Sequence, residues 1–270
     1  MEARSSMLKP LLSQKVEPDA PRHEVEISLA SAACLSVVMP CYNEVGTVDE
    51  VIRCVLTQSV VAELIIVDDG STDGSGELIE SWRSRDNRVL VFHRGRNQGK
   101  GAALHLGFAA TRALLVAVQD ADMEYNPADL SRLVEPLLRG EASVVYGSRF
   151  AAGAGAETVA WHRWGNRLLT GLANRITGQR LTDEATCYKV FRREVLLSLD
   201  LSEDGFGFCA EVTAKLSRRG VKIMEVPIRY RARSRAEGKK LRLRDGWKAI
   251  RCLLKYSFRR EQPKGESGIS

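Results

Sequence analysis

The sequence Ala-Leu-Leu-Val-Ala-Val-Gln-Asp-Ala-Asp-Met-Glu, residues 113–124, joins a short apolar run to three closely spaced carboxylates. The apolar run, Leu114 to Val118, has the length of a buried strand and predicts one. Asp120, Asp122 and Glu124 follow it at intervals of two residues. Because residues two apart on an extended chain point the same way, we expect these three side chains to converge.

Three like charges in one place are costly unless a positive group lies among them. A divalent cation would meet that need, since such an ion prefers carboxylates together with substrate phosphates. The carboxylates alone leave a second interpretation open, which is a solvated acidic loop.

Strand-like and helix-like segments alternate along the chain before this stretch. Short apolar runs predict three earlier strands, at 35–39, 64–67 and 89–92. This alternation predicts an α/β fold, with a Rossmann-like, mostly parallel sheet and helices on both faces. Ligands of such sheets bind beyond the carboxyl ends of the strands. Four loops with unusual residues fall there: 42–44, 68–73, 97–101 and 120–124.

The chain of 270 residues is long enough for one sizeable domain or two small ones. We expect a flexible tail at 1–30, because that segment has three prolines, mixed charges and no periodicity. We expect a single domain at 31–244, a basic amphipathic helix at 245–260 and a second flexible tail at 261–270.

The net charge of +6 is unevenly distributed. Residues 229–260 hold thirteen Lys or Arg and two acidic residues, a local +11, so the other 238 residues sum to −5. A basic block on an acidic body favours an anionic partner, such as phosphates, a membrane surface or nucleic acid. We expect no nucleic acid, since the block has no recognition motif with interleaved aromatic residues.

The six cysteines have no Cys-x-x-Cys spacing, which is typical of buried thiols in a reduced, cytosolic protein. No window of the sequence approaches the ~18 consecutive apolar residues of a membrane-spanning helix. We therefore expect a cytoplasmic protein, peripheral on the cytosolic face if it works at a membrane.

Six stretches of the sequence, taken in order, resemble the family-2 glycosyltransferases with the GT-A fold. The stretches are Val-Val-Met-Pro-Cys-Tyr-Asn-Glu (37–44), Ile-Ile-Val-Asp-Asp-Gly-Ser-Thr-Asp-Gly-Ser (65–75), Asn-Gln-Gly-Lys-Gly (97–101), Gln-Asp-Ala-Asp-Met-Glu (119–124), Gly-Ser-Arg (147–149) and Thr-Asp-Glu-Ala-Thr-Cys-Tyr-Lys-Val-Phe-Arg (182–192). Within that family the sequence is similar to the polyprenol (dolichol) phosphate mannosyltransferases. The ordered set is specific for the family and less specific for the substrate.

The resemblance implies a metal-dependent glycosyltransferase that inverts the anomeric carbon. Its donor would be a nucleotide-sugar, with GDP-mannose as the first choice. Its acceptor would be a polyprenyl or dolichyl phosphate at the membrane surface, and its metal would be Mg²⁺ or Mn²⁺. UDP-glucose or another nucleotide-sugar, or a hydroxyl acceptor, remains an alternative. Some members of the group carry transmembrane helices after the catalytic domain. This sequence shows none, which leaves room for a membrane-embedded partner subunit.

The resemblance also implies roles for individual residues. The nucleotide-sugar would be bound by Pro40, Tyr42, Glu44, Val67, Asp69, Asp120, Ala121, Asp122, Arg149, Arg233 and Lys239. The metal ligands would be Asp120, Asp122 and Glu124, the last standing where relatives often have Gln. The catalytic candidates are Arg149, facing an anionic phosphate, and Asp183.

The role of Asp183 is left open. A hydroxyl acceptor needs a general base, and Asp183 or Glu211 could serve. A phosphate monoester is already ionised near neutral pH, and Asp183 would then orient groups or pair with an arginine. The stretch that begins at Asp183 reads Asp-Glu-Ala-Thr-Cys-Tyr-Lys, where relatives have Asp-x-x-Thr-Ser-Gly-Phe-Arg, so it does not identify the sugar or the acceptor.

The last predicted helix carries two adjacent stripes at helical spacing. Its apolar stripe is Trp247, Ile250, Leu254 and Phe258, and its basic stripe is Lys248, Arg251, Lys255 and Arg259. This pattern suits an interfacial helix on anionic lipid. A helix packed on the core with a solvated basic face fits the pattern equally well.

Overall fold

The computed structural model of the protein describes residues 33–157, 160–233 and 243–258. The two predicted flexible tails, 1–30 and 261–270, lie outside these ranges, as does Lys239. The predictions made for them are therefore not addressed by the structure.

Three strand–helix repeats open the described chain. They are β1 (Leu35–Cys41), α1 (Val48–Leu56), β2 (Val61–Asp68), α2 (Ser75–Arg85), β3 (Val89–His93) and α3 (Lys100–Ala110). The chain continues with β4 (Leu115–Val118), a 3-10 turn (Pro127–Asp129), α4 (Leu130–Leu138), β5 (Val144–Ser148), β6 (Gly155–Glu157) and α5 (Ala160–Thr177). It ends with β7 (Lys189–Arg192), α6 (Arg193–Ser198), α7 (Phe208–Arg218), β8 (Met224–Pro227), β9 (Arg229–Arg231) and α8 (Leu243–Phe258).

Seven of these strands form one sheet in the order β3-β2-β1-β4-β7-β5-β8. Strands β1 to β4 are parallel to one another, β8 is parallel to β5, and β7 runs antiparallel between β4 and β5. The predicted mostly parallel α/β sheet is confirmed. Strand β8 lies at the edge, which suits Pro227 because proline cannot donate to a neighbouring strand. Strands β6 and β9 pair separately.

Both faces of the sheet are covered by helices, as strand β1 shows. Successive side chains of a strand point to opposite faces. Val37 and Met39 pack with residues of α1 such as Val51, whereas Val38 packs with residues of α3 such as Leu104. All of these side chains are fully buried, so burial holds β1 at the centre of the sheet from both sides.

Helices α5, α7 and α8 pack on one another and form a third apolar cluster. Alanines on α5 and α7 meet Leu253 and Tyr256 of α8 there, and small side chains let helices approach closely. Searched for membrane spans, the described residues yield no helix that is both long and apolar enough to cross a bilayer.

Candidate active site

The acidic loop follows strand β4 and lies at the carboxyl edge of the sheet. Gln119 N–H still donates to Val38 O at 3.0 Å, but the chain then turns, and Met123 has a φ of 59° in the left-handed region. The extended geometry that would make the three carboxylates converge is therefore not present. In the described part of the chain, no group of three or more His, Cys, Asp or Glu is arranged to hold a metal ion.

Asp120 is paired with Lys100, the first residue of α3, which follows the glycine-rich loop. Lys100 Nζ donates to Asp120 Oδ1 and also lies 2.9 Å from Cys187 Sγ. Burial alone would raise the pKa of Asp120, but Lys100, a hydrogen bond from Cys187 and the charge of Arg233 together outweigh burial and lower it. Asp120 is therefore a carboxylate whose charge is already compensated by a buried cation.

Asp122 is less well compensated. Its Oδ2 accepts a hydrogen bond from Arg233 Nη2 at 2.8 Å, and its Oδ1 accepts the backbone N–H of Glu124 at 3.1 Å. Burial, together with the charges of Asp120 and Glu124, nevertheless raises the pKa of Asp122 to about 7. The loop carries more negative charge than its surroundings balance.

The carboxylate of Glu124 accepts hydrogen bonds from β9 and from the residues that follow it. Its Oε2 accepts the hydroxyl of Tyr230 at 2.7 Å, and its Oε1 accepts the backbone N–H of Arg233 at 2.8 Å. Glu124 thus holds the segment after β9 in place. Its assignment as a metal ligand stays a prediction, and both of its carboxylate oxygens already accept hydrogen bonds from protein groups.

The residues at this loop fit a divalent cation. Two carboxylates on one turn, with a local excess of negative charge, are the donor set that Mg²⁺ and Mn²⁺ accept alongside phosphate oxygens. Asp120 and Asp122 supply that set. The backbone oxygen of Ala121, between them, accepts the hydroxyl of Thr47 at 2.8 Å, which ties the turn to the start of α1.

The predicted nucleotide residues line the ends of β1 and β2. Pro40 lies opposite Val67 in the parallel register of the two strands. Tyr42 and Glu44 follow on the loop after β1, both half-buried. Glu44 Oε2 lies 2.7 Å from Arg233 Nη1, so Arg233 joins this loop to the acidic turn.

Asp69 organises a neighbouring loop. Its Oδ2 accepts the backbone N–H of Gly99 at 2.8 Å and that of Gln98 at 3.1 Å, and Arg94 Nη1 lies 3.2 Å from its Oδ1. Gly101, in the first turn of α3, packs so closely that a Cβ there would overlap the backbone oxygen of Glu203. Protein packing therefore requires glycine at this position.

Arg149 and Asp183 form a buried, bidentate ion pair on the other side of the acidic loop. Arg149 Nε lies 2.6 Å from Asp183 Oδ2, and Nη2 lies 2.8 Å from Oδ1. The backbone N–H of Arg149 and the side chain of Asn166 also donate to this carboxylate, at 3.0 and 3.1 Å. Asp183 is fully buried. Of the two roles left open for it, the geometry favours pairing with an arginine over action as a base.

Glu211 is also fully buried and fully engaged. Its carboxylate accepts the backbone N–H groups of Ser202 and Glu203, at 2.9 and 2.8 Å, and lies 2.7 Å from Lys215 Nζ. These contacts fix the loop before α7. They make Glu211 a structural anchor and give no support to a role as a general base.

Tyr230 connects the two sides of the site. The guanidinium of Arg149 lies 4.9 Å from the centre of the Tyr230 ring, a cation–π distance, while the Tyr230 hydroxyl donates to Glu124. The ring of Tyr125 meets that of Tyr230 edge-on at 5.0 Å and lies tilted against that of Tyr188 at 4.9 Å. Tyr230 therefore contacts both Arg149 and the acidic turn, through its ring and its hydroxyl.

Sequence analysis alone does not assign Lys100, Arg94 or Tyr230 to the site. The position of Lys100 in Gly-Lys-Gly, a loop already marked by its sequence, was a usable signal for it. Arg94 and Tyr230 carry no such signal, because their contacts come from tertiary packing.

The sequence profile of Glycosyl transferase family 2 matches residues 36–199. The polyprenol monophosphomannose synthase of Mycolicibacterium smegmatis is 34% identical over 208 residues, which cover 73% of this chain and 77% of that protein. The undecaprenyl-phosphate mannosyltransferase of Micrococcus luteus is 30% identical over 214 residues, covering 75% of this chain and 85% of that protein.

Solved structures agree with the fold. The glucosyl-3-phosphoglycerate synthase of Mycobacterium tuberculosis, crystallised with Mn²⁺, UDP and glucosyl-3-phosphoglycerate, superposes with a TM-score of 0.65 at 26% identity. The match covers 89% of this chain and 85% of that one. The same enzyme has also been crystallised with Mg²⁺ and UDP. The GT-A fold, the family profile and the relatives agree, and the chain therefore belongs to glycosyl transferase family 2 and is a glycosyltransferase.

Proposed function

We propose that this enzyme transfers a hexose, mannose from GDP-mannose in the first place, to a polyprenyl phosphate at a membrane surface. The acceptor class is supported by two relatives, one named a polyprenol monophosphomannose synthase and one an undecaprenyl-phosphate mannosyltransferase. GDP-mannose is the donor that the similarity to mannosyltransferases favours.

The observation that carries the acceptor class is the state of the two candidate bases. Asp183 and Glu211 are both fully buried and engaged by several donors. A hydroxyl acceptor must lose a proton as it attacks, which calls for a base within reach. A phosphate monoester is already ionised near neutral pH. A site whose two candidate bases are both committed to other contacts therefore suits a phosphate acceptor.

The transfer then needs no proton movement. A phosphate oxygen of the acceptor attacks the anomeric carbon, the bond from that carbon to the diphosphate breaks, and the nucleoside diphosphate leaves with the electron pair. Arg149, held in a fixed orientation by Asp183, would bind the acceptor phosphate, because its planar guanidinium suits bidentate phosphate contacts. Asp183 is in this scheme a positioning residue.

The donor would lie between the loop after β1 and the acidic turn. Pro40, Tyr42 and Val67 would contact the base end, and Arg233 would contact the diphosphate. Asp120 and Asp122 would hold Mg²⁺ or Mn²⁺, which when bound neutralises charge on the leaving diphosphate. The use of either metal is supported by the structural neighbour crystallised with each.

A second donor is favoured by a specific observation. The neighbour with a TM-score of 0.65 was crystallised with UDP and a glucosylated phosphoglycerate. UDP-glucose as donor, and a soluble acceptor, are therefore the alternatives to test first.

The proposal is tested by incubating the protein with radiolabelled GDP-mannose or UDP-glucose and polyprenyl phosphate. We expect label from GDP-mannose to enter a lipid fraction and to be released by mild acid, as befits a glycosyl phosphate. A control without polyprenyl phosphate should leave the lipid fraction unlabelled. Failure of every donor to label lipid would contradict the polyprenyl phosphate acceptor.

Helices α5 and α8 offer a surface for the membrane. Their exposed large apolar side chains are Trp164, Leu168, Trp247, Leu254 and Phe258, and their exposed basic side chains include Arg163, Arg167, Lys248 and Arg251. Within the described residues, the buried side of α8 uses other positions, such as Leu253 and Tyr256. Aromatic and basic side chains on one face fit an anionic bilayer.

Two members of the predicted basic stripe do not contribute to this surface. Lys255 pairs with Glu203 at 2.8 Å, and Arg259 lies outside the described residues.

We expect the double variant Trp247→Ser/Phe258→Ser to bind anionic vesicles about tenfold more weakly than the wild type. The reason is that these two side chains, 71% and 75% exposed, would enter the lipid interface. Sedimentation with vesicles of phosphatidylcholine and phosphatidylglycerol measures the effect. Leu114→Ser, which removes an exposed apolar side chain before β4, is the control and should bind normally. Unchanged sedimentation of the double variant would exclude this surface.

A further inference from the structure

Arg233 bridges two carboxylates that come from different loops of the proposed donor site. Its Nη1 lies 2.7 Å from Glu44 Oε2, and its Nη2 lies 2.8 Å from Asp122 Oδ2. Its backbone N–H is anchored on Glu124. The side chain is only 16% exposed, so water screens these contacts weakly. Arg233 thus supplies positive charge where the base end and the metal end of the site meet.

One donor of this guanidinium has no hydrogen-bond partner among the described residues. Arg233 Nε is buried and makes no hydrogen bond to any described residue. A buried polar group without a partner costs free energy, and an anionic oxygen is the strongest acceptor for a guanidinium. The arrangement is therefore not optimal for Arg233, and an incoming diphosphate could satisfy the group.

We propose that Arg233 is an exchangeable counterion, which occupies Asp122 until a divalent cation and a nucleoside diphosphate bind together. The proposal rests on the proposed donor site. Asp122 Oδ2 is held by Arg233 and Oδ1 by a backbone N–H, so a cation that binds Asp122 Oδ2 competes with Arg233 for that oxygen. A dication and a guanidinium on the same carboxylate repel each other.

The consequence is cooperative binding. A cation alone must displace Arg233 from Asp122 and leaves the guanidinium with Glu44 as its remaining carboxylate partner in the described site. A diphosphate offers Arg233 new acceptors and so lowers the cost of that displacement. Because coupling between two ligands is reciprocal, each should raise the affinity of the other.

The test is Mn²⁺ binding by the full chain without any nucleotide, followed by electron spin resonance of the free ion. We expect Arg233→Met to bind Mn²⁺ roughly tenfold more tightly than the wild type, a usual size for such coupling. The matched control is Arg229→Met, since Arg229 pairs with Asp129 at 2.9 Å and leaves Asp122 untouched. Its Mn²⁺ affinity should equal that of the wild type.

A second measurement follows GDP and UDP binding with and without Mn²⁺. In the wild type, Mn²⁺ should strengthen nucleotide binding, and in Arg233→Met this enhancement should shrink. Arg233→Lys keeps the charge but cannot span two carboxylates, so its Mn²⁺ affinity should fall between those of the wild type and Arg233→Met. Circular dichroism checks that each variant is folded.

Unchanged or weaker Mn²⁺ binding by folded Arg233→Met, or no Mn²⁺ binding by either protein, would overturn the proposal. The Mn²⁺ measurement needs neither nucleotide nor turnover. Tighter Mn²⁺ binding by Arg233→Met, combined with no sugar transfer by the wild type from any donor, would contradict the proposed function and leave the displacement of Arg233 by the cation standing.

Discussion

Asp122→Asn is expected to reduce sugar transfer by about 10³-fold, the size of effect seen when a group that stabilises developing charge is removed. The amide keeps the shape of the side chain but removes a negative ligand for the cation. We also expect Mn²⁺ to lose its effect on nucleoside diphosphate binding in this variant. The fold should survive, because Asp122 is crowded by Asp120 and Glu124, which together with burial raise its pKa to about 7.

Asp86→Asn is a matched control for Asp122→Asn. Asp86 is also a carboxylate paired with an arginine, Arg88, at 2.7 Å, but it lies just before β3 at the amino end of that strand. Rates of transfer, with the donor varied at fixed Mn²⁺, separate the two variants. A wild-type rate in Asp122→Asn would remove the acidic turn from the mechanism.

Asp183→Asn is expected to lower the free energy of unfolding by about 3–5 kcal/mol, because it leaves the buried guanidinium of Arg149 without its carboxylate. Transfer should fall as well, since Arg149 loses the partner that orients it. The double variant Arg149→Met/Asp183→Asn should recover most of the stability, because replacing both members of a buried pair removes the unpaired charge. Denaturant unfolding measures the first effect and steady-state kinetics the second.

The double variant distinguishes positioning from base catalysis. If Asp183 positions Arg149 for the acceptor phosphate, Arg149→Met alone should be as inactive as the double variant, and Asp183→Asn should mainly raise KM for the acceptor. If Asp183 were a base, its loss would lower kcat and leave KM for the acceptor little changed. Full activity in a folded Arg149→Met variant would contradict the assignment of the acceptor phosphate to Arg149.

Much of the site location could be predicted because the relevant patterns are local. Apolar runs of strand length and the helical spacing between them are set by neighbouring residues. Parallel strands then bring the loops after them to one edge. Tyr42, Asp69 and Asp122 are far apart in sequence, yet all three follow strands that end at that edge.

The prediction of three convergent carboxylates rested on a backbone geometry that the structure does not have, for a reason that is also local but hard to see; their use as metal ligands stays a prediction. The prediction of convergence assumed extended backbone beyond β4, whereas Met123 adopts a left-handed conformation. Glycine or asparagine in the sequence would have indicated that conformation, but methionine does not. The antiparallel insertion of β7 between β4 and β5 was equally invisible, because its register depends on partners distant in the chain.

The sequence by itself determined the family, the order along the chain of the strands that carry the motifs, and the edge of the sheet where those motifs meet. Only the tertiary structure decided which charge faces which. Lys100 pairs with Asp120, and Arg149 pairs with Asp183. Arg233 pairs with Asp122, which is 111 residues away in the chain. Charge pairing acts through space at a few ångströms, and no periodicity along the chain records it.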